Sequence, residues 1–367
     1  EECHMRLDDA VRIKEGWGRP QTNRANSHVK RLSRDRDDQL FDKEVKDLVL
    51  EWARNRDQVR KMWKYLKKQR FSQSRFEFQQ FRKALVRFAE PNHRYTGWHK
   101  AHKLAKCLLI EEFEQANLKM LEYRETDDIL AALPRKDTHA GIEYVEYGMR
   151  KKGEYSDMLF NMYTESEKKA RVDRSFNAII LPGTRTQASG AFDEFGNETP
   201  DKIKYKSRVI SSIGLRQILA ECKFARPVQQ WMSSLKWYAG GKSDAEIGGL
   251  MLSWKSDLQH WLCIDYSSFD QTISDWLIRD AFDILRAGFW KDRNFDEDLF
   301  TIVREDFINK VFLDVDGSLV PSSKGVPSGS MFTQIIDSIV NRLMILAYFI
   351  SKGYRLNEMK MCIMGDD

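Results

Sequence analysis

The sequence has little of what marks several simple classes of protein. Cysteine occurs only five times and never as a CxxC pair, so neither a disulfide framework nor a common zinc module is indicated. Glycine occurs 20 times and proline eight times in 367 residues, too seldom for a collagen-like or disordered chain. The longest apolar run, Leu343–Ile350, is far shorter than the roughly 20 residues that cross a bilayer. We therefore expect a globular protein of roughly two or three domains that does not span a membrane.

The cellular compartment is predicted from the cysteines and from the first residues. The number of cysteines is odd, and the chain starts with Glu1 and Glu2, whereas a secretory leader starts with basic residues. Both features predict a reduced, intracellular protein.

The charge is unevenly distributed along the chain. The net charge is +5, yet residues 1–106 carry 27 Lys and Arg against 15 Asp and Glu, and residues 107–367 carry 33 against 40. A basic excess of this size commonly faces phosphate groups, and a solvated helical surface is the alternative. We expect the two parts of the chain to face different partners.

The apolar pattern divides the chain into regions. Helical spacing from Leu40 to Tyr123 predicts an α-helical region. Around Leu133-Pro134 glycine, proline, serine and threonine become frequent, which predicts a boundary followed by loops or short strands. After Lys255 the pattern predicts strand, helix, hairpin, helix and strand, which is an α+β arrangement.

One group of possible metal ligands is discounted. Three histidines and a cysteine lie close together in the sequence, but HxxH followed by HxxxxC matches no common zinc pattern. We interpret them as part of a helix surface. These residues are His93, His99, His102 and Cys107.

Two acids bracket a predicted strand-to-helix turn. The apolar run Trp261–Ile264 is followed by Asp265, and Asp270 comes five residues later, before a helix that Ser274 is suited to cap. A lone acid at such a position is more often a turn residue or a helix cap. This segment therefore indicates an acidic site only in combination with other acids.

A second apolar strand pattern precedes Gly365, Asp366 and Asp367. A plain β-turn is the alternative, because glycine and aspartate favour turns. If both apolar runs join one sheet, Asp265 and Asp366 meet across neighbouring strands. Two unit charges about 4 Å apart repel by roughly 4 kcal/mol at an effective dielectric of about 20, so such a pair favours a cation. Oxygen-only ligands select Mg²⁺ or Mn²⁺, and since side chains alternate along a strand, Asp366 is the preferred ligand of the last two acids.

A hairpin and a Gly-Ser loop lie between these acidic segments. Two short strand patterns flank Asp316-Gly317, a hairpin signal, and the loop Ser322–Ser330 follows. Gly325 and Gly329 permit a close approach of the backbone to a ligand. The next helix carries a polar stripe, which either faces solvent or, with the loop, reads a ribose or a template backbone. This stripe consists of Thr333, Asp337 and Asn341.

A basic strand pattern lies upstream. Residues 202–208 alternate cations with other residues at strand period, which suits either a protected sheet edge or a comb of cations for a triphosphate or an incoming template. The short loop 136–141 could touch an RNA backbone through its amides and the Thr138 hydroxyl, although alone it would be a turn. The four cations are Lys202, Lys204, Lys206 and Arg208.

Taken together, residues 136–367 resemble a viral RNA-directed RNA polymerase, because five motifs occur in that family's order. The Asp-Tyr-Ser-Ser-Phe-Asp segment and the eight residues from Thr333 to Asn341 are most similar to the partitivirus and picobirnavirus group of double-stranded-RNA viruses. The joint match is specific, whereas each motif alone is not. The matching residues are Thr138-His-Ala140-Gly141 for motif G, Lys206 and Arg208 for motif F, Asp265 and Asp270 for motif A, Ser328, Gly329, Thr333 and Asn341 for motif B, and Gly365-Asp366-Asp367 for motif C.

The resemblance implies a right-hand polymerase fold of the α+β class. It implies a basic α-helical N-terminal region over residues 1–110 and α-rich fingers with motifs G and F over 111–258. The palm, with motifs A, B and C and a small antiparallel sheet, is expected over 259–367, with a fingers excursion near 290–325. The thumb and the lysine of motif D that serves as general acid are expected beyond Asp367. Residues 1–367 alone are therefore expected to be inactive.

The resemblance also implies template-directed RNA synthesis that replicates and transcribes a viral RNA genome. The implied partners are template and nascent RNA, nucleoside triphosphates and a viral capsid protein, without a membrane, in the host cytoplasm and the virion interior. Two Mg²⁺ or Mn²⁺ ions would be bound by the catalytic residues Asp265, Asp366 and Asp367. The nucleotide would contact Lys206, Arg208, Asp270, Ser328, Gly329, Thr333 and Asn341, and RNA would contact Thr138, Ala140, Gly141, Lys202 and Lys204.

The sequence departs from the pattern of the polymerase family at one position, and two other functions remain as alternatives. Asp337 stands where many positive-strand relatives have asparagine, so recognition of the ribose is expected to depend on Asn341. A reverse transcriptase shares the palm chemistry but usually has an aromatic residue shortly before its paired acids, where this chain has Met364-Gly365. A non-catalytic RNA-binding or capsid-docking protein would use the basic N-terminal region instead.

Overall fold

A computed structural model describes most of the chain from residue 71 onward. The described residues are 51, 71–73, 78–92, 97–142, 151–185, 188–190, 208–255, 260, 262–314, 317–355 and 359–366. They divide into two compact units, Glu1–Ala84 with Gly183–Val209 and Leu85–Pro182 with Ile210–Asp367. The expected division into N-terminal region, fingers and palm stays a prediction.

Helices make up most of the described structure. Some of them begin at a side-chain cap: Ser243 and Glu246 form a reciprocal capping box, and Asp296 accepts a hydrogen bond from the Leu299 amide. Ser274 occupies the N-cap position of the helix it was expected to start. The helices are α1 Phe78–Val86, α2 His99–Glu114, α3 Thr126–Ala132, α4 Leu159–Asp173, α5 Leu215–Met232, α6 Asp244–Trp254, α7 Phe269–Thr272, α8 Asp275–Ala287, α9 Glu297–Ile308 and α10 Thr333–Ser351, with 3-10 turns at Arg87–Ala89 and Lys152–Met158.

The predicted helical region ends earlier than its apolar pattern suggests. After α2, Asn117 adopts a left-handed conformation with φ +48°, and residues 117–123 form no helix. The Leu118 amide donates to the Gly288 carbonyl and the Leu121 amide to the Lys223 carbonyl, at 2.8 and 2.9 Å. The apolar side chains of this segment serve packing between helices, because tertiary hydrogen bonds replace the helical ones.

The strands form two small sheets. β1 Phe71–Gln73 pairs antiparallel with β3 Ala188–Gly190. The second sheet has the order β4-β2-β5-β6 and is mixed, because β2 pairs parallel with β5 and β5 antiparallel with β6. The β5–β6 hairpin is the predicted one, with Gly317 at φ +86° in its turn. The remaining strand bounds are β2 Ile179–Arg185, β4 Arg208–Ser212, β5 Lys310–Leu313 and β6 Leu319–Ser322.

The small antiparallel palm sheet, expected to join the two acid-bearing runs, is not formed in the described residues. Residues 262–266 form no strand, and Ile363 makes a single parallel bridge with Tyr238. The Ile363 amide donates to the Trp237 carbonyl and the Ala239 amide to the Ile363 carbonyl, both at 2.8 Å. The run that leads to Asp366 therefore pairs with the segment after α5, so that prediction was wrong.

The core of the second unit lies between α5, α8, α9 and α10. The ring of Phe282 meets Phe300, Phe307 and Phe332 at centroid distances of 5.9, 5.3 and 5.1 Å. Such edge-on aromatic pairs each add about 0.5–1.5 kcal/mol beyond the burial of their area. Phe332 directly precedes α10, so this cluster fixes where that helix starts.

Helix α10 is the central element of the site. Its 19 residues are long and apolar enough to cross a membrane, but 56% of its most apolar stretch is buried inside the protein, where it packs against α2, α8 and α5. Asp337, Ser338 and Asn341 are buried along it. The polar stripe predicted from the sequence is therefore directed into the molecule.

Candidate active site

The Gly365-Asp366 turn is held by two side chains of α10. The Gly365 amide donates to Ser338 Oγ at 2.9 Å, and its carbonyl accepts from Asn341 Nδ2 at 3.0 Å. Ser338 and Asn341 are three residues apart and therefore share one helix face. Gly365 has φ +67°, a conformation that favours glycine. Asn341, expected to sense a ribose, uses its donor group to fix this turn.

The segment that pairs with Ile363 is itself fixed to α10 and α2. Arg342 forms an ion pair with Glu112 at 2.7 Å, and its guanidinium lies 4.2 Å from the centre of the Trp237 ring. Trp237 Nε1 donates to the other oxygen of Glu112 at 2.8 Å. These contacts fix the backbone on which the turn at Asp366 depends.

Three aspartates share one electrostatic neighbourhood. Asp337 is buried in α10, and burial, followed by the charges of Asp270 and Asp366, raises its pKa well above the usual range. Like charges at short range disfavour ionisation of all members unless a proton or a cation compensates them. Asp337 was predicted to lie on the polar stripe but was not among the predicted site residues. Its spacing of four from both Thr333 and Asn341 was the available signal.

Asp265 lies on the wall of a neighbouring cavity of about 660 Å³. It is exposed, and Asn341 and Met364 line the same cavity. The two acid-bearing runs, 262–265 and 359–364, thus line one cavity, but they are not adjacent strands of one sheet as expected. Most of the other lining residues are apolar, among them Met251, Trp254, Leu262, Ile345, Phe349 and Met361.

The donor chemistry of this region suits a hard divalent cation. Among the residues that the structure describes, no three acidic, histidine or cysteine side chains are grouped closely enough to hold a metal ion. Asp367, the third expected ligand, lies outside the described residues. Asp337 Oδ1 and Asn341 Oδ1 are buried without a hydrogen-bond partner in the described part. Mg²⁺ and Mn²⁺ prefer oxygen atoms of this kind, so the site agrees with such an ion in the type of its donor atoms.

The discounted histidine cluster behaves as a helix surface where it is described. His102 Nε2 lies 2.7 Å from Asp280, which also binds Lys106 at 2.6 Å. His93 lies outside the described residues. These contacts join α2 to α8 and are structural.

The Gly-Ser loop is fastened to the segment that carries Asp270. The Val326 amide donates to the Asp270 carbonyl at 2.6 Å, and the Gly325 amide to the Ile273 carbonyl at 2.7 Å. Gly325 has φ +73°, and a Cβ atom there would lie 2.8 Å from the Asp270 carbonyl oxygen. Glycine is therefore required for the loop to approach Asp270 so closely.

The Ser328-Gly329 pair is pressed against β4. Ser328 Oγ accepts from the Ser211 amide at 3.0 Å, and a Cβ atom on Gly329 would lie 1.7 Å from the Ser211 carbonyl oxygen. Thr333 Oγ1 donates to the carbonyls of Pro327 and Ser330, each at 2.8 Å, and so closes the loop on itself. The nucleotide contacts expected of Ser328, Gly329 and Thr333 stay predictions, and each residue also has this structural role.

The 136–141 loop packs at the start of α5. The carbonyl of Thr138 accepts from Lys152, and that of Ala140 from Leu215, at 3.0 and 2.8 Å. Gly141 has φ +105°, and a Cβ atom there would lie 2.6 Å from Gly214 Cα. The RNA contacts expected of Thr138, Ala140 and Gly141 stay predictions.

The basic strand lies largely outside the described residues. This holds for Lys202, Lys204 and Lys206, and for the side chain of Arg208, whose backbone begins β4. Their contacts with the triphosphate and with RNA stay predictions.

The chain matches proteins of known type over most of its length. The family model described as viral RNA-dependent RNA polymerase matches residues 19–367. An RNA-directed RNA polymerase of Cryptosporidium parvum virus 1 (strain KSU-1) is 39% identical over 199 residues, which are 54% of this chain and 36% of that protein. A genome polyprotein of Bovine enteric calicivirus Newbury agent-1 is 35% identical over 101 residues, 27% of this chain and 4% of that protein.

These matches test the family and the function that were expected from the sequence. The resemblance to a polymerase of a double-stranded-RNA virus is confirmed. Neither the reverse transcriptase nor the non-catalytic alternative is favoured. The chain spans little more than a third of the polymerase that it matches.

Proposed function

The chain belongs to the family of viral RNA-dependent RNA polymerases, and from that premise we propose that it performs template-directed RNA synthesis that replicates and transcribes a viral RNA genome. A 3′-hydroxyl of the growing strand attacks the α-phosphate of a nucleoside triphosphate, and pyrophosphate leaves. The observation that supports this function best is the position of Asp366. Ser338 and Asn341 hold its turn, and the charges of Asp366 and of Asp270 both act on the buried Asp337, which supports a shared acidic site.

The proposed reaction uses two divalent ions, Mg²⁺ or Mn²⁺. Asp265, Asp366 and Asp367 would hold them. When bound, such ions supply charge stabilisation for the attacking and leaving oxygens. Asp337 adds a carboxylate that is already short of a partner, since its Oδ1 has no hydrogen bond in the described part of the chain.

The remaining residues of the site bind and orient the nucleotide. Asp270 and Ser328 lie where a loop and a helix converge, and Asn341 keeps a free acceptor, Oδ1, after donating to Gly365. These groups suit a ribose hydroxyl, which both donates and accepts hydrogen bonds. Lys206 and Arg208 supply cations for the triphosphate.

Template and nascent RNA, with nucleoside triphosphates, are the partners of this reaction. The loop at Thr138, Ala140 and Gly141 and the cations Lys202 and Lys204 contact RNA, and the basic residues 1–106 bind RNA or a viral capsid protein. The reaction takes place in the host cytoplasm and in the interior of the virion.

The proposal is tested by nucleotide incorporation with the complete protein carrying Asp366→Ala. We expect incorporation to fall by about a thousandfold or more, because a group that orders the reacting oxygens is lost. Asp283→Ala is the matched control, because Asp283 is a half-exposed acid of α8 that pairs with Lys106. Undiminished synthesis by the Asp366 variant would reject the proposed function.

A further inference from the structure

One buried carboxylate contacts the end of the Gly-Ser loop. Glu221 of α5 is fully buried, and its Oε2 accepts from Ser330 Oγ and from the Met331 amide, both at 2.8 Å. Its Oε1 accepts from Gln217 Nε2 at 3.0 Å. Both oxygens of the carboxylate therefore accept hydrogen bonds from protein donors, of which one is the last residue of the loop and another is the residue that follows it.

The same carboxylate acts at the start of α10. The first amides of a helix have no acceptor within it, and the N-cap residue Phe332 provides no side-chain cap. Instead, Ser330 Oγ accepts a hydrogen bond from the Phe332 amide at 3.0 Å, and the Ser330 hydroxyl donates one to Glu221. A negative charge at this end of a helix is favourable. Ser330 thus accepts from the N-cap amide of α10, and Glu221 of α5 fixes the Ser330 hydroxyl.

This contact completes the fixation of the loop. Ser328 and Gly329 are held against Ser211 of β4, and Glu221 holds the next two residues against α5. One helical turn after Thr333 comes Asp337, and a further turn brings Asn341. The contacts of Glu221 therefore fix the position of the loop end and, through the start of α10, the position of the polar stripe.

A structural role alone explains this residue poorly. A carboxylate is costly to bury, and an apolar residue of similar size often serves stability as well or better. Burial raises the pKa of Glu221 to about 7, although its hydrogen bonds and Lys152 of the adjacent 3-10 turn lower it. Of the two neighbouring groups, Lys152 and Cys222, only the lysine carries a formal charge at neutral pH. What an acid adds at this place is directed hydrogen bonding to the loop.

We propose that Glu221 is a positioning residue for nucleotide selection, which fixes the Ser328–Ser330 loop and the start of α10 and thereby orients the groups that meet the ribose. The proposal depends on the function proposed above. It assigns to a side chain of α5 a part in discriminating ribonucleotides from deoxyribonucleotides. Glu221 itself does not touch the nucleotide.

The first test measures the anchoring without reference to activity. Hydrogen exchange, followed by mass spectrometry on peptides covering residues 325–335, is compared between the complete wild-type protein and Glu221→Ala. We expect the Met331 amide to exchange about tenfold faster in the variant, because its acceptor, Glu221 Oε2, is lost. The Phe332 amide should also exchange faster, because its acceptor, Ser330 Oγ, loses its own hydrogen bond to Glu221. Glu221→Gln, which keeps an acceptor oxygen, should stay close to wild type. Equal exchange in wild type and Glu221→Ala would overturn the proposal.

Asp306→Ala is the matched control for both tests. Asp306 of α9 is also a carboxylate that accepts from a serine hydroxyl and from the following amide, Ser175 Oγ at 2.6 Å and the Phe176 amide at 2.7 Å. These donors follow α4 and do not belong to the Gly-Ser loop. The control removes the same kind of interaction at a different place, and loop exchange should not change.

The second test separates selection from stability. For Glu221→Ala we expect the KM for the ribonucleotide to rise about tenfold and the preference for ribonucleotides over deoxyribonucleotides to fall about tenfold, with both values restored to within about threefold by Glu221→Gln. Asp306→Ala should change neither the KM nor the preference for ribonucleotides. An active wild type whose Glu221→Ala variant behaves like Asp306→Ala would overturn the inference alone, whereas an inactive wild type would overturn the proposed function. If Glu221→Ala does not fold, Ser330→Ala must show the same directions of change, and unchanged values there would count against the proposal.

Discussion

The two halves of the candidate active site are held in different ways. In the loop half, Ser328, Ser330 and Thr333 each contact a partner from a strand, a helix or the loop itself. In the acidic half, residues 262–265 and 359–364 line an open, mainly apolar cavity, with Leu262 68% and Met364 44% exposed. Backbone pairing there is limited, among the described residues, to the bridge at Ile363.

Because of this difference, the loop half of the site is more rigidly preorganised than the acidic half. Many buried hydrogen bonds and a dense core give a segment high local stability, whereas exposed apolar side chains and few pairings give it less. The groups expected to meet the ribose therefore stand on the better fixed half. Asp265 stands on the more open half, and the turn before Asp366 is connected to the core through Ser338 and Asn341.

The largest expected effect comes from filling the contact between Gly329 and β4. Gly329→Ala would place a Cβ atom 1.7 Å from the Ser211 carbonyl oxygen, so the loop must move. We expect a loss of about 3 kcal/mol or more in the free energy of unfolding, measured by urea denaturation, together with a loss of nucleotide incorporation.

A matched glycine sharpens this result. Gly249 lies within α6, and a Cβ atom there would meet nothing within 4 Å. Gly249→Ala should leave the protein as stable or more stable by about 0.5–1 kcal/mol, because alanine favours a helix. Equal destabilisation by both substitutions would contradict the close packing of the loop.

A smaller effect is expected where the two halves are joined. Asn341→Ala removes the buried donor to the Gly365 carbonyl, which leaves that oxygen without its partner. We expect the free energy of unfolding to fall by about 1–3 kcal/mol and incorporation to fall with it. Asn309→Ala is the control, since Asn309 makes an exposed contact with Glu305 at the end of α9. If the two variants are equally stable and equally active, α10 does not hold the turn.

The smallest effect is expected in the open half. Leu262→Ala changes a side chain that is largely exposed, so the free energy of unfolding should change by less than about 0.5 kcal/mol. Ile339→Ala in α10, where the side chain is 1% exposed, should cost about 2–5 kcal/mol in the same urea experiment. A large loss from Leu262→Ala would show that the open half is as tightly packed as the loop half.

The local elements were the most predictable part of the fold. The hairpin at Asp316-Gly317 and the helix that carries Thr333, Asp337 and Asn341 follow from turn residues and from spacing along one chain segment. The prediction of strands before Asp265 and Asp366 was wrong. A short strand needs a neighbour, and the neighbour of Ile363 turned out to be Tyr238, more than a hundred residues away in sequence.

The site itself was predictable as a set of residue types and only partly as a set of contacts. Asp270 and Asp366 were chosen from sequence, and the charge of each raises the pKa of the buried Asp337. Asp337 was passed over because it stands where many positive-strand relatives have asparagine, and recognition of the ribose was assigned to Asn341 instead. Glu221 gave no signal at all, since its partner Ser330 lies 109 residues further along the chain.

The family, the acids and glycines of its motifs, and the helix face with the polar stripe can all be recognised without a structure. Residue type and helical or turn periodicity are local properties of the chain. The burial of this face, the hydrogen bond from Asn341 to Gly365 and the hydrogen bonds of Glu221 at the start of the helix are seen only in the folded molecule. Burial and long-range hydrogen bonds depend on which segments meet in space, and a single sequence does not specify those meetings.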